Sequence, residues 1–536
     1  MGYTIGVSSG IFRAVSEEQK GEYVGLPSKS MFSMFKGVMF TQLDLESISE
    51  FKEPNIEKKM KDVREKMGIQ YGLHGEVPEY SDAFPKLDSA LMEEWKRSHA
   101  RFIAEIEGSS MVKAKYLLFH ASTSDPFFVM WREFQTMRLC DIWGRPLADL
   151  LKENDWLLEW AIEQEFIVSV LEHRRYLDMG HARAEVGARY EKTAEEEIRK
   201  GKKPEEIKMP TKEELEEEAV KQVKEAVFAT LATDDTGYGT ERVAYYIIAK
   251  WMQNGGKSCP AELHTLWNDI TGGGSIDDPK FRDKYESWVP AVTAAYHWGH
   301  FYPERCPNRK SPGTDPKPIL AKTDPKMKLV FETPMAGKGG EETVRLAKAS
   351  HIYYMVKAIN HPLIGVAVDA EHMLSANIDP KKDIESMPYN AGEKVFVMHV
   401  GYPAPLAPAH LPIPVGSEAQ VYVYEILWML RKKGMKDAII IFERGGGQEP
   451  VKESILSLRI IVKYLEMDVP PDKLPEEFFG MPRGGPEFSR QVLSVRDHAL
   501  DPLKGLLTVP EEDYGFLGTA AQAKGKLEEW SKRKLK

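Results

Sequence analysis

The sequence predicts a closed (β/α)8 barrel of the TIM type, an α/β fold, with a large and mainly helical insertion between its fourth and fifth strands. Three observations predict it. Short apolar or β-branched runs alternate with stretches of helical period, which is the rhythm of a parallel sheet. Eight such runs can be read, the number that closes a barrel, although counting alone leaves an open doubly wound sheet as the alternative. Finally, about 200 residues separate the fourth run from the fifth, far more than one loop and one helix need.

The strand candidates are YTIGVSS (3–9), GVMFTQLDL (37–45), QYGLHG (70–75), AKYLLFHAS (114–122), MKLVFETP (327–334), IGVAVDAEH (364–372), KVFVMHVGYP (394–403) and DAIIIFERGGG (437–447). Helices are expected over 56–68, 89–108, 340–359 and 419–434, where apolar residues recur at helical spacing. From 126 to 325 the text reads mainly helical and closes with a Gly/Pro-rich connector, CPNRKSPGTDPKPILAKTDPK (306–326). The expected organisation is a barrel formed by 1–125 and 326–510, an insertion over 126–325 sitting above the barrel mouth, and a helical tail over 511–536.

Composition bounds the function classes. Of the 536 residues 42% are hydrophobic and 29% charged, enough apolar material for a full core and too much for global disorder. No run approaches the ~18 consecutive apolar residues of a membrane span. MGYTIGVSSG has no basic segment leading into an apolar run, and Gly6 stands where a myristoylation signal needs Ser or Thr, so neither a secretory leader nor a lipid anchor is expected. Three scattered cysteines, Cys140, Cys259 and Cys306, make no disulfide framework and fit a reducing cytoplasm. The formal charge of −10 argues against a generally basic nucleic-acid binder, but not against one concave face whose metals supply positive charge locally. Charged runs such as 203–226 read as solvated helical faces.

The chemistry lies at the strand ends. Six consecutive runs, the third to the eighth, end abruptly in a metal-ligand residue type: His74, His120, Glu332, Asp369, His399 and Glu443. Parallel barrel strands deliver their C-terminal ends to one mouth, so side chains remote in sequence converge there. His372 follows Asp369 by one helical turn, and His410 lies in PAHLPIPVG after the seventh strand. Imidazoles and carboxylates without a thiolate suit zinc or manganese in an open catalytic site. Any one such residue is more often a hydrogen-bonded cap; six in succession point to a metal centre. A rival fifth strand, FIVSVLEH, would put Glu172 in place of Glu332. It is set aside because LVFETPMAGKGG leads through a single helix into the Asp369 strand. Cys259, His264, His297, His300 and Cys306 are too irregularly spaced for a second metal site.

Read together, LHG, LLFHAS, LVFETPMAGKGG, VAVDAEH, VMHVGYP, AHLPIPVG and IIFERGG resemble, in order, the metal-binding motifs of the endonuclease IV (AP endonuclease family 2) branch of the xylose-isomerase-like barrels. The resemblance covers roughly 1–125 and 326–480. It implies a metal-dependent phosphodiester hydrolase of the DNA-repair type, with nucleic acid as partner and DNA ahead of RNA. It also implies two or three divalent ions, zinc first and manganese second, held by His74, His120, Glu332, Asp369, His372, His399, His410 and Glu443. Glu332 would bridge two ions, a bridging hydroxide would be the nucleophile because coordination lowers the pKa of water from ~15.7 towards about 7, and Glu332, Glu443 and His372 would carry the catalysis.

Two departures accompany the resemblance. Pro408 stands where the family has an Asp ligand, leaving His372 and His410 for a third ion. The loops LDLESIS and GEVPEYSD lack the basic and aromatic residues that open DNA. The alternative, within the same barrel superfamily, is a sugar or sugar-phosphate isomerase or epimerase, with one ion on Glu332, Asp369, His399 and Glu443 and with Glu332 and Glu443 as paired acid and base. A non-catalytic scaffold is the third class, disfavoured because the whole quartet is present. Metal content separates the classes: one ion for the isomerase, two or three for the hydrolase, none for the scaffold.

Overall fold

A computed structural model describes residues 2–9, 25–35, 37–75, 91–121, 138–142, 144–164, 167, 179–232, 240–257, 259, 261–278, 280, 326–335, 346–404, 407–443 and 451–480. Eight parallel strands close into a barrel: β1 (Thr4–Ser8), β2 (Phe40–Asp44), β3 (Gln70–His74), β4 (Tyr116–His120), β5 (Lys328–Glu332), β6 (Ile364–Asp369), β7 (Val395–Val400) and β10 (Ile439–Phe442). Each lies inside one of the eight runs expected from the sequence. Around the barrel the order is β1-β10-β7-β6-β5-β4-β3-β2, and β8 (Tyr402–Ala404) with β9 (Ala407–Leu411) forms a separate antiparallel ribbon after β7. Closure removes the alternative of an open sheet.

The strands read as apolar on both faces because both faces are covered. Outward side chains such as Leu117, Phe119, Leu329 and Phe331 join the main core beneath the helices, while Phe40, Tyr116, Leu118, Val330, Ala367, Val397 and Ile441 fill the barrel interior. The interior is crowded enough to require glycine. A Cβ on Gly72 of β3 would lie 2.3 Å from the Tyr116 ring, and one on Gly365 of β6 would lie 2.2 Å from the Phe396 ring.

Helices α1 (Leu26–Phe35), α2 (Ile56–Lys66) and α3 (Met92–Met111) follow β1, β2 and β3. Between β4 and β5 lie α4 (Leu147–Glu153), α5 (Asp155–Glu163), α6 (Met179–Arg199), α7 (Lys212–Ala232), α8 (Thr240–Asn254) and α9 (Ala261–Thr271), so the insertion is mainly helical where described. The charged run over 203–226 falls largely on α7, whose buried stripe Ala219, Val223, Val227, Leu231 repeats every four residues and leaves the acidic positions outward. On that outer face Arg183 pairs with Glu216 and Arg189 with Glu218, both at 2.6 Å.

The insertion meets the barrel through α9, which packs against α10 (Ala349–Ile359), the helix after β5. Its first described stretch also pairs with the start of α3, Leu91 with Leu139. The chain leaves β4 at the mouth and re-enters β5 at the opposite end of the parallel barrel, and the segments that make this passage, 122–137 and 281–325, on which the expected place above the mouth depends, lie outside the described residues.

After β6 come α11 (Ala370–Ser375) and α12 (Pro380–Ser386); α13 (Glu418–Lys432) and α14 (Val451–Glu466) complete the described α-helices. The expected strand over 364–372 is too long. It stops at Asp369, whose carboxylate accepts the backbone N–H groups of Glu371 and His372 and thereby starts α11. Glu172, His297, His300, Cys306 and the tail over 511–536 lie outside the described residues. No described helix is long and apolar enough to cross a membrane.

Candidate metal centre

Strand register assembles the site. His120 of β4 pairs level with Glu332 of β5, Asp369 of β6 with His399 of β7, and Asp44 of β2 with His74 of β3. Glu443 follows β10 directly. All seven belong to the top inward layer, one step above interior residues such as Leu118, Val330, Ala367, Val397 and Ile441, because side chains two apart on a strand share a face.

Two donor sets result, each with its ligand atoms within 4.8 Å of one another: His74, His120, Glu332, and Glu332, Asp369, His399, Glu443. Glu332 belongs to both. Its Oε2 lies 3.5 Å from His74 Nε2 and 3.4 Å from His120 Nε2. His399 Nδ1 closely approaches one oxygen each of Glu332 and Glu443 and lies 3.8 Å from Asp369 Oδ2. The imidazoles of His74 and His120 stand 5.0 Å apart between ring centres. Exposure is confined to the rim, 13% for the His120 side chain and 16% for Glu443, against 0% for Glu332 and His399.

The residues fit a divalent cation. Both Glu332 carboxylate oxygens, His74 Nε2 and His399 Nδ1 are buried with no hydrogen-bond partner among the described residues, although each faces other donor atoms. Glu332, Asp369 and Glu443 would place three negative charges in one buried space, an arrangement that is costly unless cations offset it. Electrostatics among the side chains alone gives partial relief. Burial would raise the Glu332 carboxyl, but the His399, His120 and His372 imidazoles outweigh it and hold the group down to about 2. Burial pushes His120 down to about 3. For His74 and His399 burial acts in the same downward direction, but the neighbouring carboxylates prevail: Asp44, Glu332 and Glu443 raise His74, and Glu332 and Glu443 hold His399 well above the usual imidazole range.

Of the eight expected ligands, six fall in these two sets. His372 stands at their edge on α11. Its Nδ1 lies 2.9 Å from the Thr333 carbonyl and its Nε2 lies 3.7 Å from Asp369 Oδ2, which places it beside the centre and in neither donor set. His410 is on β9, paired with Pro403, and its side chain lies outside the described residues. Sequence reading missed two residues of β2. Asp44 closes its strand in an acid just as the ligand strands do, a signal that was available. Gln42 carries no such signal, since an amide inside a strand resembles any alternating polar position.

No family model and no curated protein matches this chain. Solved structures similar to it include a D-tagatose 3-epimerase-like protein (13% identity, covering 87% of this chain and 98% of that one, TM-score 0.38). A D-psicose 3-epimerase matches at 10% identity over 85% and 97% of the two chains with a TM-score of 0.39. A 3-keto-D-glucoside 4-epimerase from E. coli matches at 8% over 86% and 99% with 0.35. Scores this low carry no functional weight; the barrel rests on the strand pairing.

Proposed function

We propose that the chain is a divalent-metal-dependent isomerase or epimerase of a small sugar. The observation that carries this reading is the set Glu332, Asp369, His399 and Glu443, one donor at the mouth end of each of four adjacent strands, with the two glutamates at the outer pair. A bound cation would polarise a sugar carbonyl and its neighbouring hydroxyl, acidifying the C–H bond beside them. Epimerisation then requires a proton to leave one face of that carbon and another to arrive on the opposite face. Glu332 and Glu443 flank the site as the two carboxyl groups for this exchange, one taking the proton and the other delivering it, with roles reversed in the return reaction. Donors that are largely buried admit a slender polyhydroxy molecule more readily than a duplex.

One observation favours a second reading. His74 and His120 complete a second donor set around Glu332, and two ions sharing a carboxylate suit phosphodiester hydrolysis, as the endonuclease IV resemblance implies. Metal analysis of protein purified without chelator, followed by incubation with ketoses in deuterated water and with abasic DNA, separates the two. The expected result is one ion per chain and deuterium entering a sugar carbon. Two ions with strand cleavage and no exchange would overturn it. In either case Glu332→Ala and Asp369→Ala are expected to lose metal and activity while circular dichroism stays that of a folded barrel.

A further inference from the structure

Strand β2 supplies no member of either donor set, yet it touches the ring that anchors the larger one. His399 directs Nδ1 at the carboxylates of Glu332 and Glu443, so a lone pair must be available on that nitrogen if the set is to hold a cation. The ring proton then belongs on Nε2. That nitrogen lies 2.8 Å from Gln42 Oε1, and the same oxygen accepts the Tyr116 hydroxyl at 2.7 Å. Gln42, Tyr116 and His399 are all at most 1% exposed, so water does not substitute for these bonds. Two donors converging on one amide oxygen fix its orientation, and the fixed oxygen fixes the imidazole tautomer.

We propose that Gln42, held by Tyr116, is the positioning residue of the metal centre: it locks His399 as the Nδ1 donor. The choice of a neutral amide has a consequence. Behind His74 stands a carboxylate, Asp44 Oδ1 at 3.4 Å from Nδ1, which strengthens a ring as a donor and adds negative charge to the site. Gln42 orients His399 without adding charge, which leaves a cation in the larger set more electrophilic. The inference rests on the reading that Glu332, Asp369, His399 and Glu443 bind a divalent ion.

The test uses the full-length chain titrated with Co(II), followed by calorimetry and by visible absorption, which reports the ligand field directly. Gln42→Leu removes the acceptor and is expected to weaken Co(II) binding about 10- to 100-fold and to shift the absorption bands. Gln42→Glu keeps an acceptor at that position and adds charge, so affinity should return to the parent level or exceed it, with bands differing from the parent's. Loss of packing alone would not be repaired by Glu. Tyr116→Phe, which removes only a hydroxyl, is expected to weaken binding in the same direction as Gln42→Leu and by less, and it provides the readout if Gln42→Leu does not fold. Parent-like affinity and spectrum in Gln42→Leu, or in Tyr116→Phe should that be the variant that folds, overturn the inference while leaving the metal centre intact. A parent protein that binds no Co(II) overturns the metal reading itself and the inference with it.

Discussion

His74, His120 and His399 line one buried space, yet their protonation diverges because their second neighbours differ. At His120 burial outweighs the Glu332 and Glu443 carboxylates, with the His74 and His372 imidazoles adding to it, and lowers the ring to about 3, whereas carboxylates overcome burial at His74 and His399 and raise both, His399 strongly. A raised imidazole holds its proton to higher pH than a free one in the metal-free protein, and a ligand must be neutral, so a cation has to displace that proton. Metal affinity should therefore rise with pH as long as His399 and His74 still carry protons in the metal-free state, and His120 should contribute nothing near neutrality. Calorimetry of metal binding at pH 7 in buffers of different ionisation heat measures the release directly; we expect protons to be released on loading, and fewer from Asp44→Asn, which removes the charge beside His74 Nδ1. Equal heats in all buffers would contradict the assignment of these rings.

At the scale of elements, the barrel interior couples packing to the site. Gly72 on β3 leaves the space that the Tyr116 ring of β4 occupies, and that ring carries the hydroxyl that holds Gln42 of β2. In Gly72→Ala the new methyl would lie 2.3 Å from ring carbons of a wholly buried side chain, so the ring must move. Overpacking of this kind costs about 1–3 kcal/mol, readable as a lower urea midpoint with an unchanged slope, and a variant as stable as the parent would remove Tyr116 from this account. The same elements mark how far the sequence could be read. β4 to β7 and β10 were legible because a strand buried on both faces is a continuous apolar run, β1 to β3 because short β-rich runs recur between helical stretches, and the donors because each of their runs breaks off at an ionisable residue. The bond between Gln42 and His399 spans 357 positions, and only barrel closure brings β2 opposite β7. Capping by Asp369, which shortens β6, likewise depends on where its carboxylate points, and strand periodicity carries no trace of that.

For the whole molecule the open term is the insertion. Each neighbouring pair of strands in such a barrel needs a covering helix, and between β4 and β5 the chain has only the residues of the insertion to provide one. The outward side chains there, Leu117, Phe119, Leu329 and Phe331, are at most 2% exposed, and on the described side α9 lies against α10 with Trp267 wholly buried. Through α9 the insertion adds to the helices around the barrel, and it is also a candidate determinant of what reaches the metal. Replacing 126–325 by a short linker would uncover that flank, and exposing even two such side chains costs roughly 3–6 kcal/mol at about 1.5–3 kcal/mol each. We expect the shortened chain to unfold at markedly lower urea than the parent, with or without metal, whereas a linker that restores one amphipathic helix should recover much of the loss. With stability recovered, a changed preference among sugars would assign substrate selection to the remainder of the insertion. A shortened chain as stable as the parent, with the same preference and rate, would place the insertion outside both the helices around the barrel and the active site.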